Sequence, residues 1–325
     1  EDIISHTMMS NDEKILSLLK TYFEPDDYFL VYKRMIGTGC IGGKACGMLL
    51  ARKIIQKDNP EAFAHMEPHD SYYLGSDVFY TYIVHNKFWR LHIHQKTKQG
   101  YFKLAPQLEQ AFLSGSFPEA IRLQFIRMLE YFGQRPIIVR SSSLQEDAFG
   151  NAFAGKYESV FCINTGTMDE RLTELENAVR TVYASTMNTS ALEYRRQRGL
   201  GFKDEQMALL IQRVSGSMYE DFLMPNAAGV GYSYSAYKWD DSIDASDGML
   251  RLVMGLGTRA VDRTEGDYPR IVNLSAPERS TLTESWAKHQ YSQRYVDLMD
   301  YTTKSLSSRP LKDVTPYMDS WYKKL

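Results

Sequence analysis

Cysteine is scarce, and its count is odd. The 325-residue chain has three, Cys40, Cys46 and Cys162. That set excludes a disulfide framework and points to a reducing compartment, which we expect to be the cytoplasm. Long apolar runs are also missing. Stretches such as Met48-Leu49-Leu50 are far too short to span a bilayer, so no membrane-crossing helix is expected. There is no excess of basic charge. Lys and Arg number 38 against 40 Asp and Glu, a net charge of −2, which removes any broad electrostatic case for nucleic acid or an anionic membrane as partner. The first residues, Glu-Asp-Ile-Ile-Ser, have neither the basic nor the apolar region of a secretion signal. Internal repeats and low-complexity tracts are absent as well. The chain begins without Met and stops at Tyr-Lys-Lys-Leu, so we expect it to be a piece of something longer.

Hydrophobic residues make up 43% and charged residues 24%, ordinary for a globular protein, and the length suits two lobes better than one core. We place the lobes at residues 1–205 and 206–325, with the boundary in the polar, Arg-rich stretch 187–205. Helices are predicted over Ser10–Phe23, Lys44–Lys57 and Pro118–Phe132, where apolar residues recur at steps of three and four. Thr167-Met-Asp-Glu170 reads as a capping box opening a helix with the stripe Leu172, Leu175, Val179, Val182 and Tyr183. Strands are predicted at Phe29–Tyr32, Ser71–Val84, Pro136–Arg140, Ser159–Ile163, Met207–Val214, Gly229–Ser235 and Arg251–Met254. Residues 58–69 read as a loop. Strands and helices mix without regular alternation, so the expected class is α+β.

Three segments could carry chemistry. Gly37-x-Gly39-x-x-Gly42-Gly43-Lys44 opens a predicted helix. Glycines let backbone amides approach a phosphate, and a helix N-terminus adds positive partial charge. A P-loop is excluded, because its first glycine is replaced by Thr38 and the residue after Lys44 is Ala45. A dinucleotide fingerprint lacks its acid at a strand end, and a plain tight turn explains the glycines equally well. The second segment, Ile137-Ile-Val-Arg140-Ser-Ser-Ser143-Leu-Gln-Glu146-Asp147, delivers an arginine and three hydroxyls from a strand end. A guanidinium there can grip phosphate bidentately, or it can simply be salt-bridged. The third, Asn151-Ala-Phe-Ala-Gly155-Lys-Tyr-Glu-Ser159, reads as a lid over phosphates or as a hairpin.

Gly42-Gly43-Lys44-Ala45, Val139-Arg-Ser-Ser-Ser-Leu-Gln-Glu-Asp147, Phe153-Ala-Gly155, Met207-Ala-Leu-Leu-Ile-Gln-Arg-Val214 and Gly255-Leu-Gly257 follow in one order at compatible spacings. In this the chain resembles the ATP-binding domain of the pyruvate phosphate dikinase and phosphoenolpyruvate synthase family, over roughly residues 35–275. The resemblance implies a two-lobed ATP-grasp fold with mixed, largely antiparallel sheets. It implies that Lys44 and Arg140 hold ATP phosphates, that Gly155 and Ser159 lie on the covering loop, and that Gln212 and Val214 meet adenine at the hinge. It further implies Mg²⁺, a phosphohistidine swivelling domain and an acceptor-substrate domain, the last two outside this chain. The pattern departs from the family after Ser275, where no Gln-x-Arg-Pro follows and Gln293-Arg294 lacks the spacing, so the metal ligands stay unassigned.

The expected function is the ATP-binding module of a dikinase-type phosphotransferase. The alternative is a nucleotide-binding regulatory module without transfer activity. A Rossmann oxidoreductase stands further off. His92-Ile-His94, on a strand, would present two imidazoles on one face, a possible metal pair, although two exposed histidines are the simpler reading. Asp240-Asp241 and Asp244-Ala-Ser-Asp247 read as an acidic surface loop, and Arg195-Arg196-Gln-Arg198 as a solvated helix face. Arg259, Asp262 and Arg263 are left without a role.

Overall fold

A computed structural model describes residues 2–146, 155–238, 241–262, 266–279, 284, 286 and 290–318. The chain forms two units, residues 1–214 and 215–325. Both mix helices and sheets, as the α+β expectation holds.

The first unit is built on a five-stranded sheet. Its strands are β1 (Met35–Ile36), β2 (Ser71–Leu74), β3 (Ile137–Ser143), β4 (Ser159–Cys162) and β5 (Met207–Arg213), in the order β1-β2-β5-β3-β4. Only β1 and β2 run parallel; every other pairing is antiparallel. The centre is β5, and its first five residues are all buried, which is why its sequence is continuously apolar rather than alternating. Side chains of a strand still alternate between faces. Leu209 and Ile211 of β5, with Ile137 and Val139 of β3, join one core under the helices Ser76–His85, Ala105–Ser114, Glu119–Phe132 and Met168–Ser185. Leu210 of β5 and Tyr73 of β2 join a second core with Ala45, Cys46, Leu49 and Leu50 of the helix Gly43–Asp58. The helix Gly43–Asp58 thereby lies over the face that also carries Arg140 and Gln212.

Several local expectations give way to capping and tertiary packing. Phe29–Tyr32 is helical, within Pro25–Tyr32: Pro25 starts the helix and the Asp27 carboxylate accepts the Glu24 amide at 3.0 Å. Only Ser71–Leu74 of the aromatic stretch is strand. Gly75 ends it, and Ser76–His85 is a helix burying Val78, Phe79, Tyr82 and Ile83. The first amphipathic helix runs Glu13–Tyr22 and is capped by Asp12 rather than Ser10, with Asp12 Oδ1 accepting the Lys14 and Ile15 amides. A short helix, Pro60–Ala64, interrupts the expected loop. The capping box at Thr167 and Glu170 opens the helix Met168–Ser185 as read.

The second unit carries two antiparallel sheets. One has the strands β8 (Ala228–Tyr232), β9 (Met249–Val253) and β10 (Arg270–Asn273), in the order β10-β9-β8. The other has β6 (Ser217–Tyr219), β7 (Phe222–Met224), β11 (Tyr295–Asp300) and β12 (Ser305–Pro310), in the order β12-β11-β7-β6. Phe222, Met224, Val296 and Leu298 form its core with Val314 and Met318. The Gly255-Leu256-Gly257 turn is tied to β11 by the Leu256 amide, which donates to Asp297 O at 2.9 Å. Arg259 is held within this unit by Asp267, by Asp297 Oδ1 at 2.9 Å and by Ser308 Oγ at 2.6 Å. Gln293 is structural here: it accepts the Met254 amide and donates to Met254 O and Tyr295 O.

Candidate functional site

The glycine-rich turn packs against the end of β3. Gly42 has φ +83°, and a Cβ on it would stand 1.3 Å from Ser142 O; one on Gly43 would stand 1.9 Å from Glu146 O. These two positions therefore demand glycine to bring backbone against backbone. The upstream amides are already engaged. Thr38 N and Gly39 N donate to the Asp77 carboxylate at 3.0 and 2.8 Å, and Cys40 N donates to Ser76 Oγ at 3.2 Å. The Ala45 amide donates to Ser142 Oγ at 3.0 Å, whose hydroxyl in turn donates to Ile41 O at 2.8 Å. Two of the loop amides, those of Thr38 and Gly39, thus hold a carboxylate of the same protein. Tight-turn geometry accounts for the glycines.

Lys44 follows directly. Its Nζ donates to Ser141 Oγ at 3.0 Å and pairs with Glu146 Oε1 at 2.8 Å. Glu146 is fully buried, while the Lys44 side chain keeps 21% of its surface open. The Glu146 carboxylate also accepts from Ser141 Oγ at 2.9 Å and from the Ser143 amide at 2.9 Å. Burial pushes the Glu146 carboxyl above the usual carboxylate range; the Lys44 charge and these hydrogen bonds pull it back.

Arg140 sits mid-strand on the face under the helix Gly43–Asp58. Its Nη1 reaches Gln212 Oε1 at 3.4 Å, and no carboxylate lies within ion-pair distance of it among the described residues. The salt-bridged reading of Arg140 is thereby excluded for those residues. Gln212 Nε2 turns the other way, to Ser71 Oγ at 3.2 Å and Met48 Sδ at 3.2 Å. Gln212 thereby links Arg140 to Met48, which lies one helical turn from Lys44. Ser159 is the cross-strand partner of Arg140. Gly155 has φ +67° and follows residues 147–154, which lie outside the described set, as do Asp147 and Phe153 of the sequence motifs. Val214 is buried at the end of β5, its amide donating to Pro136 O at 2.9 Å.

The third serine opens a separate network. Ser143 Oγ bonds to Glu205, which also accepts from Tyr157 OH at 2.7 Å and lies 3.2 Å from Arg195 Nε. Arg195 is buried, a correction to the solvated-face reading, because the helix Thr189–Gln197 turns it onto Glu205. Sequence reasoning missed Asp77, Glu205 and Tyr157, and took Glu146 only as one of two acids. The Ser143–Glu146 spacing of three carries a turn signal for Glu146; Glu205 has no local signal at all.

The histidine pair fails as a metal site. His92 and His94 lie on a helix, Trp89–Gln95, where a spacing of two points them apart. His92 is buried against Phe79 and Trp89, and burial lowers its pKa to about 3, so it is neutral. Among the described residues no group of three or more His, Cys, Asp or Glu could hold a metal ion. No helix among them is long and apolar enough to cross a membrane. Asp244 turns its carboxylate to the Ser246 amide as a local cap, and Asp240 and Arg263 lie outside the described residues.

The class is an α+β domain whose sheet carries, on β3, an arginine with no carboxylate within ion-pair distance among the described residues, and whose glycine-rich turn leads into a helix starting with Lys44. The comparisons make this specific. Residues 38–314 match the family model of the pyruvate phosphate dikinase AMP/ATP-binding domain, and the chain belongs to that family. It is an ATP-binding module of that type. No curated protein matches the chain.

Proposed function

We propose that the chain is the ATP-binding part of a dikinase-type phosphotransferase, with an ATP-grasp arrangement, and that Lys44 and Arg140 bind the ATP phosphates. The observation that carries this reading is the Arg140 guanidinium. It has five N–H donors and, among the described residues, one long contact, to Gln212, and no ion pair for a phosphate to break. Lys44 has three donors and uses two of them on Ser141 and Glu146; the third is left for a phosphate oxygen. The side chains of Lys44 and Arg140 supply donors for phosphate, while Asp77 takes the Thr38 and Gly39 amides of the loop. Gly155 and Ser159 would border the phosphates, and Gln212 and Val214 the adenine.

Mg²⁺ would be held by phosphate oxygens with one or two carboxylates, so no ready-made cage of acids is required. It would supply neutralisation of charge developing on the transferred group. Lys44 and Arg140 contribute the same kind of stabilisation from fixed positions, which is how phosphoryl transfer is catalysed. The acceptor in this reading is a histidine on a separate swivelling domain, and the setting is the cytoplasm.

Arg140→Gln tests the site. A charge-assisted contact is worth about 1.5–3 kcal/mol, so ATP affinity should fall roughly tenfold or more, with adenosine affinity unchanged. Calorimetric titration with both ligands reads this, and equal loss for both would place the phosphates elsewhere. Arg140→Lys should rescue only in part, because a point charge replaces a planar fork.

Gln212 holds Arg140 as well as facing the proposed adenine position. Gln212→Ala should therefore lower the preference for ATP over GTP and also weaken both triphosphates. Gln212→Glu should weaken them more, by pairing with Arg140 and neutralising it. Fluorescence titration with the two nucleotides would show it; an unchanged preference moves the adenine pocket away from β5.

A further inference from the structure

A cavity of about 390 Å³ opens in the first unit between the helices Pro25–Tyr32 and Gly43–Asp58 and the start of β2. Lys44 and Arg140 do not line it. Its lining mixes apolar residues, Phe23, Val31, Leu49 and Tyr73, with charged ones, Arg34, Arg52, Lys53, Asp27 and Asp70.

The charges do not cancel. Lys53 Nζ is held by Asp27 Oδ1 at 2.6 Å. Asp70 accepts Tyr131 OH at 2.9 Å and lies 3.7 Å from Arg213 Nε. Two guanidiniums remain, Arg34 and Arg52, and neither has a carboxylate within ion-pair distance among the described residues. Arg52 Nη1 donates to Glu67 O at 3.0 Å, a neutral partner. The Arg34 guanidinium is stacked 3.6 Å from the Tyr131 ring centroid and 5.1 Å from that of Tyr72, which fixes its plane. Its Nη1 is buried, with no hydrogen-bond partner among the described residues. That atom is closed off from solvent, so what the cavity presents is the rest of the Arg34 side chain together with Arg52.

We propose that this cavity binds a small organic phosphate monoester, whose dianionic group bridges Arg34 and Arg52 and whose apolar or planar body lies against Phe23, Val31, Leu49 and Tyr73. Two guanidiniums match a phosphate dianion in charge and in fork geometry. The volume and the mixed lining are those of a small-molecule pocket. His69 is a built-in reporter. It lines the same cavity with Nδ1 3.1 Å from Ser71 Oγ, and its pKa is lowered by burial of the ring and by the charges of Arg52 and Arg34, against the opposing charge of Asp70. Lys44 and Arg140 lie outside its lining, but it adjoins the proposed adenine position, because Ser71 of its wall accepts from Gln212 Nε2 at 3.2 Å.

Phenyl phosphate is the probe, titrated by calorimetry and by the NMR resonances of His69, with phenol and inorganic phosphate as comparisons. Phenyl phosphate should saturate the protein and raise the His69 pKa, because the phosphate dianion offsets the guanidinium charges. Phenol should not bind, and inorganic phosphate should bind more weakly than phenyl phosphate. Arg34→Gln and Arg52→Gln should each weaken phenyl phosphate on the order of tenfold, whereas Arg140→Gln should leave it unchanged. Absence of saturation at millimolar probe, or full binding in the Arg52→Gln variant, would overturn the proposal. Loss in Arg140→Gln equal to that in Arg52→Gln would place the probe in the nucleotide site instead. Arg34 is packed between tyrosines, so its variant is accepted only if it melts like the parent; Arg52→Gln, held by one backbone contact and the Phe63 ring, carries the test by itself if it does not.

Discussion

Lys44→Ala should lower the unfolding free energy by about 3–5 kcal/mol, the usual cost of removing one partner of a buried ion pair. The partner left behind, Glu146, is fully buried, so its charge would stand without a cation. The effect should depend on pH. Glu146 already titrates above its unfolded value, so the folded state holds its proton more tightly than the unfolded state does. Stability from this group is therefore greatest below the unfolded carboxylate pKa of about 4.3 and falls as pH rises toward the folded value. Losing the Lys44 charge moves the folded value further up and extends that fall to higher pH. Urea denaturation from acid to neutral pH measures both effects. Glu146→Gln, added to Lys44→Ala, should restore much of the loss and flatten the pH dependence. A Lys44→Ala variant within about 1 kcal/mol of the parent, with no added pH dependence, would show the pair to be as weak as a surface ion pair. The same coupling means that lost ATP affinity in Lys44 variants mixes folding with binding, and Arg140→Gln is the cleaner probe.

Gly42→Ala should be comparably severe, at least about 3 kcal/mol. With φ +83° and ψ 172°, Gly42 occupies a region open essentially to glycine alone, which costs an L residue about 1–3 kcal/mol, and displacing packed backbone adds to that. The new methyl would stand 1.3 Å from Ser142 O, so the turn must lift off β3. The Ala45 to Ser142 and Ser142 to Ile41 hydrogen bonds would go with it. Gly47→Ala is the control. It lies five residues on, exposed within the helix Gly43–Asp58, with nothing within 4 Å of an added Cβ. Alanine should stabilise there, by up to about 1 kcal/mol. Thermal melts of the two variants should therefore move in opposite directions; a shared direction would contradict the turn geometry described above.

Local rules read much of the chain correctly because the deciding interactions were close in sequence. Thr167 and Glu170 are three residues apart and complete their capping box within one turn. The steps of three and four in Glu119–Phe132 bury Ile121, Phe125, Met128, Leu129 and Phe132, as periodicity requires. The unbroken apolar run Met207–Ile211 is the central strand. The order of the Gly-Gly-Lys, Arg-Ser-Ser-Ser and later segments was enough to indicate the family.

Elsewhere, side-chain types misled where one nearby residue overruled them. Phe29–Tyr32 has strand-like chemistry, but Pro25 and Asp27 set a helix before it begins. Gly75 splits one apparent strand into a strand and a helix.

The sequence by itself determined the α+β class, the central strand, the helix that begins after Gly42 and the motif residues Lys44 and Arg140. Each follows from patterns a few residues long. Only the tertiary structure decided what those residues touch. Lys44 meets Glu146 across 102 positions, and Arg140 meets Gln212 across 72. Asp77 enters the glycine turn from 39 and 38 positions away and takes two of its amides, those of Thr38 and Gly39. Arg34 and Arg52, 18 positions apart, line one cavity because two helices pack beside one strand. Hydrogen-bond partners and the loss of solvent around a charge depend on contacts between distant segments, and no local periodicity encodes them.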